Sequence, residues 1–313
     1  MKNPDLISMR QALGDVLLKL GDEVPELVVL DSDVSSSTQT IHFGKKFPDR
    51  FFNVGVAEAN MVDIAGGMAT CGFRPVASAF AIFLTLKAAE QISNIICYNK
   101  LPVILLGGYA GLSDSFDGAS HQSITDIAVM RAMPNLNVID PADAIELTQA
   151  MQQMITYDGP SYIRISRNPR PLLFENDEPF KFGKIRKIQE GSDMTIAACG
   201  VTVSMAIDAA SELKSKGISA EVLNISTIKP LDVDTLVRSV QKTGCILTVE
   251  EHTICGGMGS AVAEALMKNH PVKMDFIGIS DTFTETGSYL ELLKKYGISK
   301  ESIKDKVLKL VTE

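Results

Sequence analysis

Short runs of β-branched and leucine-rich residues alternate with longer amphipathic segments along nearly the whole chain. ELVVLDSD is followed by VDIAGGMAT, RPVASAF by LTLKAAEQISNIICY, LPVILLGG by a glycine-rich loop, LNVIDPAD by AIELTQAMQQMI, and SYIRIS closes the series. Apolar runs of strand length with no polar alternation are the mark of strands covered on both faces. The helical segments between them are the crossovers that a parallel sheet requires. The rhythm therefore predicts an α/β fold with a mainly parallel, doubly wound sheet. NPRPLLFENDEPF interrupts it with three prolines, three acids and little periodicity, and reads as a linker. Beyond it MTIAACG, MAIDAASELKSKG, SAEVLNIS, LDVDTLVRSVQKTG, CILTVEE, GSAVAEALMKN and VKMDFIGI repeat the pattern, predicting a second, smaller α/β domain. The expected division is residues 1–170, a linker at 171–181, and residues 182–313.

A length of 313 residues suits two cores better than one. With 45% apolar and 22% charged residues the composition is that of a soluble globular protein. A net charge of −8 and the lack of any Lys/Arg cluster argue against binding a nucleic-acid backbone. MKNPDLISMRQALGD places Pro and Asp where a signal peptide needs an apolar core, and no run approaches the roughly 18 apolar residues of a membrane span, so a cytoplasmic location is expected. The five cysteines form no C-x-x-C and read as reduced core thiols.

Glu58 stands out chemically. It opens a helical segment inside VGVAEANMVDIAGGMATCG, where its only charged companion is Asp63. Small residues let such a helix pack closely, so the carboxylate is expected where water is scarce and proton sharing is favoured. The plainer reading is an acid placed at a helix N-terminus by the macrodipole. Other candidates lie in loops after the strand runs, where open α/β sheets gather functional groups. Asp33 and Ser35 to Ser37 follow ELVVL, and the hydroxyls read equally as a helix cap. GYAGLSDSFDGASHQS brings Asp117 and His121 together in a chain with four histidines. Arg167 ends SYIRIS, where it either holds an anion or forms a surface ion pair of little value.

Taken together, FFNVGVAEANMVDIAGGMA, ASAFAIF, FDGASHQS, MPNLNVIDPADAIE, YIRISRNP and VEEHTICGGMGSAVAEAL resemble the C-terminal half of transketolase, and the resemblance covers the whole chain. It implies a pyrimidine-binding domain followed by the transketolase C-terminal domain. It also implies thiamine diphosphate and Mg2+ as cofactors. The residue matching Glu58 hydrogen-bonds the cofactor's aminopyrimidine ring and helps activate its thiazolium. Phe80 and Phe83 match the aromatic wall for that ring, with Leu86 where the family has a third aromatic. Asp33 matches an acid near the cofactor at the subunit interface. His121 and Asp117 match the groups that contact the donor sugar's oxygens. Arg10, Ser37 and Arg167 match three positions of a clamp for the terminal phosphate. The fourth position departs from the family, because Gly107-Gly108-Tyr109-Ala110 supplies neither His nor Arg. The terminal group of the substrate therefore stays open between a phosphate and a sulfonate.

No Gly-Asp-Gly segment occurs in the chain. In the family that segment helps hold the metal and the diphosphate, which are accordingly expected on a separate chain in an α2β2 assembly. The leading expectation is the β-type subunit of a split transketolase, moving a two-carbon ketol unit from a ketose phosphate to an aldose through a thiamine adduct. The alternatives are the β subunit of a 2-oxoacid dehydrogenase, a relative of 1-deoxyxylulose-5-phosphate synthase, or a non-catalytic partner chain. In the second domain, close packing is the expected use of Gly256, Gly257 and Gly259, and His252 is given no chemical role.

Overall fold

A computed structural model describes residues 6–175 and 178–312. Its strands are β1 (Leu6–Ile7), β2 (Leu27–Asp31), β3 (Phe51–Asn53), β4 (Arg74–Phe80), β5 (Ile104–Gly108), β6 (Asn137–Ile139), β7 (Ser161–Ile165) and β8 (Arg170–Pro171). They continue with β9 (Arg186–Gln189), β10 (Met194–Ala198), β11 (Ala220–Asn224), β12 (Thr227–Lys229), β13 (Cys245–Thr253) and β14 (Lys273–Ile279).

The first large sheet has seven strands in the order β12-β6-β7-β5-β4-β2-β3. All neighbours are parallel except the edge pair β12 with β6. Every residue of β2, β5 and β7 is buried, as expected for strands covered on both faces. The helix Glu58–Thr70 and the segment Ala81–Cys97 pack on one side around Met61, Ala65, Leu84, Ile92 and Leu105. The helices Met9–Glu23 and Ala144–Met154 cover the other side through Leu13, Leu17, Leu147 and Met151. Gly107 is dictated by packing, since a Cβ there would lie 2.2 Å from the Tyr162 hydroxyl.

LTLKAAEQISNIICY departs from the single helix that its pattern predicts. It forms an α-helix to Lys87, a break at Ala88, and a π-helical stretch Ile92–Cys97. The break leaves Lys87 in the last turn of the helix Ala81–Lys87, at the edge of the sheet that carries Glu58.

The second sheet runs β14-β13-β10-β11-β9, parallel apart from β9. The chain thus has a mainly parallel seven-stranded sheet and a second, smaller one, in agreement with the pattern read from the sequence. β1 pairs antiparallel with β8, which ties the start of the described chain to residues 170–171. Of the expected linker, residues 176 and 177 lie outside the described residues. Around them, the amides of Leu173 and Phe174 donate to the Asp143 carboxylate. Three cysteines, Cys97, Cys199 and Cys245, are buried free thiols, whereas Cys71 and Cys255 are exposed.

Candidate active site

Parallel register brings the carboxyl ends of the central strands into line: Asp31 lies beside Ser78, Phe80 beside Gly108, and Gly108 beside Ile165. Segments leaving this edge carry all the residues singled out above except Arg10, which starts the helix Met9–Glu23.

Glu58 is the first residue of its helix and is 2% exposed. Ala57 provides no side-chain cap, and Glu58 is the acid of the first turn. Lys87 Nζ lies 2.5 Å from Glu58 Oε2. The two form a close ion pair, so the buried carboxylate has a cation at Oε2. The same ammonium sits over the Phe83 ring, 5.0 Å from its centroid. Phe83 meets His121 edge-on at 5.1 Å and lies 6.3 Å from Phe80.

Phe80 stacks on Tyr109 with ring centroids 4.5 Å apart. Tyr109 has φ +58°, a left-handed conformation that bulky residues seldom adopt, and such strain is usually held at functional positions. Its ring carries the Arg10 guanidinium at 5.3 Å and that of Arg167 at 4.9 Å. Arg10 Nη1 also donates to the Tyr109 hydroxyl and to the Ser37 carbonyl, each at 2.8 Å. Ser37 thus enters the cluster through its backbone. Arg167 donates to Asp114, a fully buried carboxylate next to Asp117 and His121. Burial and Asp117 raise the Asp114 carboxyl to about 6 against the opposing pull of Arg167 and His121.

Glu58, Phe80, Phe83, His121, Arg10, Ser37 and Arg167 therefore form one connected row, with Asp117 joined through Asp114. Asp33 stands outside the row, exposed, at φ +65°, and takes a hydrogen bond from Asn53 at 2.9 Å. The buried acid of that loop is Asp31, which accepts from the Val34 amide and from the hydroxyls of Thr38 and Thr40. Burial raises its carboxyl above the usual range, and these hydrogen bonds oppose the shift. Sequence reasoning missed Lys87 and Asp114, left the role of Tyr109 open, and gave Asp31 none. For Lys87 the available signal was a lone cation four residues after Phe83 in an apolar helix.

Beneath the row, Arg164 projects from β7 into a closed polar core. It grips Asp126 through Nε and Nη2 at 2.7 and 3.1 Å, Asp140 through Nη1 at 2.9 Å, and the Glu251 carbonyl at 3.2 Å. Burial alone would raise the Asp126 carboxyl, but the charges of Arg164 and His252 pull it below the usual range. His252 is fully buried against the Thr253 carbonyl, and burial lowers it to about 4. Glu250 accepts from the amides of Met258 and Gly259 and so occupies the N-terminus of the helix Met258–Asn269. The glycine-rich loop therefore serves a carboxylate of the chain itself, and a Cβ at Gly259 would lie 2.7 Å from Thr248 Oγ1.

The family model for the transketolase pyrimidine binding domain matches residues 5–171, and that for the transketolase C-terminal domain matches residues 183–303. The chain belongs to the transketolase family. It is 43% identical to a protein of Methanocaldococcus jannaschii provisionally described as a transketolase C-terminal section, covering 96% of this chain and 95% of that one. It is 36% identical to a 6-deoxy-6-sulfo-D-fructose transketolase subunit of a Clostridium species, covering 94% and 92%. A solved structure described as a split-gene transketolase, inactive β4 tetramer, superposes with a TM-score of 0.90 at 42% identity over 98% of this chain and 99% of the other. This transketolase-family chain is thus similar over nearly its full length to separate subunits. Among the described residues no helix is long and apolar enough to cross a membrane.

Proposed function

We propose that the chain is the β-type subunit of a split transketolase, transferring a two-carbon ketol unit from a ketose to an aldose. The observation that carries this reading is Glu58: a buried carboxylate at the start of its helix, paired with Lys87 and on the same row as Phe80, Phe83 and His121. Members of the family use thiamine diphosphate with a divalent metal, and these residues fit the pyrimidine end of that cofactor. A buried carboxylate suits its ring nitrogen, and two phenylalanines suit its face. When bound, the cofactor supplies a carbon nucleophile and electron sink for cleavage next to a carbonyl.

Each residue of the chain then has a task. Glu58 holds the pyrimidine ring and keeps a proton at its nitrogen. Phe80 and Phe83 flank the ring and exclude water, and Asp33 lies at the rim towards the neighbouring subunit. His121, propped against Phe83, holds or moves a proton at the oxygens of the donor sugar, and Asp117 accepts from one of its hydroxyls. Arg10 and Arg167, spaced by Tyr109, receive the terminal anion together with the Ser37 segment.

The reading assigns the metal and the diphosphate to a partner chain. This chain has no Gly-Asp-Gly, and among the described residues no three His, Cys, Asp or Glu side chains group as metal ligands. Val56, Leu86, Phe116 and Phe283, beside the site, are 71%, 53%, 65% and 88% exposed, an apolar rim suited to cover by that partner. Two-carbon transfer, assayed with thiamine diphosphate and magnesium for this chain alone and with the product of the neighbouring gene, tests the proposal. Activity only in the mixture supports it. Failure of the two chains to associate or react favours the 2-oxoacid or non-catalytic readings.

A further inference from the structure

The two arginines of the proposed anion clamp are not equivalent. Arg10 donates only to neutral acceptors, the Tyr109 hydroxyl and the Ser37 carbonyl, and forms no ion pair among the described residues. Arg167 Nη1 donates to Asp114 Oδ1 at 2.8 Å, and Asp114 is fully buried with its carboxyl hydrogen-bonded to that of Asp117. The contact is built into the backbone: the Arg167 amide donates to Ser113 Oγ at 3.2 Å, and Asn168 Nδ2 lies 3.4 Å from the Ser113 carbonyl. The end of β7 is thereby laced to the loop that carries Asp114.

We propose that Asp114 is a specificity-determining residue, a built-in counter-anion that neutralises Arg167 and weakens the hold of the site on a terminal dianion. The inference rests on the reading of Arg10 and Arg167 as the clamp. Counting Arg10, Arg167 and Asp114 alone and leaving Asp117 aside, an ionised Asp114 leaves the clamp one net positive charge. A neutral Asp114 leaves it two. A singly charged end such as a sulfonate matches the first state, and a doubly charged phosphate matches the second. The titratable and charged groups facing Asp114 are Asp117, Arg167 and His121, and the carboxyl titrates at about 6. Acidification through that value removes the counter-anion.

The test is equilibrium binding of inorganic sulfate to the full chain by titration calorimetry. Sulfate stays a dianion throughout the working range, so its own charge is constant. Asp114→Asn, which keeps the shape of the side chain, should tighten sulfate binding roughly tenfold, the effect of one nearby partly screened charge. Arg167→Ala introduced into Asp114→Asn should abolish that gain. Wild-type affinity should rise between roughly pH 7.5 and 5.5, and this rise should shrink in Asp114→Asn. The pH series on the unmodified chain needs no variant to fold. If Asp114→Asn binds sulfate no more tightly than the wild type, whether both bind or neither does, the proposal is overturned. A gain that survives Arg167→Ala overturns it equally. The transferase reading fails separately, through absence of two-carbon transfer in the two-chain mixture.

Discussion

Replacing Arg164 by Met tests the polar core on which the site rests. The substitution keeps length and apolar stem but removes the guanidinium, which is 3% exposed and makes four close contacts. Asp126 would retain only the Tyr162 hydroxyl, at 2.6 Å, and the distant His252, 4.0 Å away. Asp140 would lose its cation altogether. Breaking a buried ion pair from one side costs about 3–5 kcal/mol, because the partner charge is left desolvated. For a chain of this size that corresponds to a fall in Tm on the order of 5–10 °C, read by circular dichroism or calorimetry. The sign of the pH dependence is a second readout. In the variant both carboxyls are buried without a guanidinium, so the Asp126 carboxyl rises above the unfolded value of about 3.9 and that of Asp140, which burial already raises, goes higher still. Such groups stabilise the fold when protonated and lose that contribution as pH rises, so the deficit should narrow from about pH 8 to pH 5. Adding Asp126→Asn to the variant should recover part of the loss. A fall in Tm below about 2 °C, or a deficit that widens on acidification, would refute the account of Arg164 as the cation that holds two buried acids.

Four further outcomes are expected. Glu58→Gln should abolish two-carbon transfer by the two-chain mixture while shifting stability by no more than about 1 kcal/mol, since its Lys87 partner is half exposed; substantial remaining turnover removes Glu58 from the chemistry. His121→Ala should reduce kcat with donor sugars far more than it weakens cofactor binding, and the reverse would move His121 into the cofactor site. Tyr109→Ala should raise KM for donors with a terminal anion more than for truncated ones, because it removes the ring beneath both guanidiniums, and equal effects would make Tyr109 a packing residue. Gly107→Ala should destabilise by about 1–3 kcal/mol through a Cβ 2.2 Å from the Tyr162 hydroxyl, and an unchanged Tm would mean that the strand can shift.

The strands and the position of Glu58 were legible because each has a local signature. β2 and β5 are almost entirely apolar runs, β7 is apolar but for Ser161 and Arg164, and an acid among alanines and glycines announces itself. Tyr109 left no such trace. It carries no charge, and its importance comes from a left-handed backbone that turns its ring towards two arginines 99 and 58 positions away. The network of Arg164 was hidden for a related reason. Within SYIRIS Arg164 was given no role, because its partners Asp126 and Asp140 lie 38 and 24 positions away and only the fold brings them to it. Asp114 was passed over beside Asp117 because the family resemblance spoke for one acid in that loop and the local sequence gave no reason to prefer the other. The broken helix after β4 was equally hidden, since the amphipathic pattern persists through Ala88 while the backbone hydrogen bonding changes.

Tyr109 also accounts for the departure that the loop sequence displays. A clamp lacking a cation at its fourth position need not have lost its anion. The ring of Tyr109 gives Arg10 and Arg167 a shared π-face, and its hydroxyl gives Arg10 a neutral acceptor. The arginines are thereby held in place without adding or cancelling charge, and the charge of the pocket passes to the carboxylate on Arg167. On the proposed reading, orientation and net charge are set by different residues, the first by Tyr109 and the second by Asp114. A change of terminal group in the substrate can then be met by altering one acid, with the aromatic frame of the site left intact.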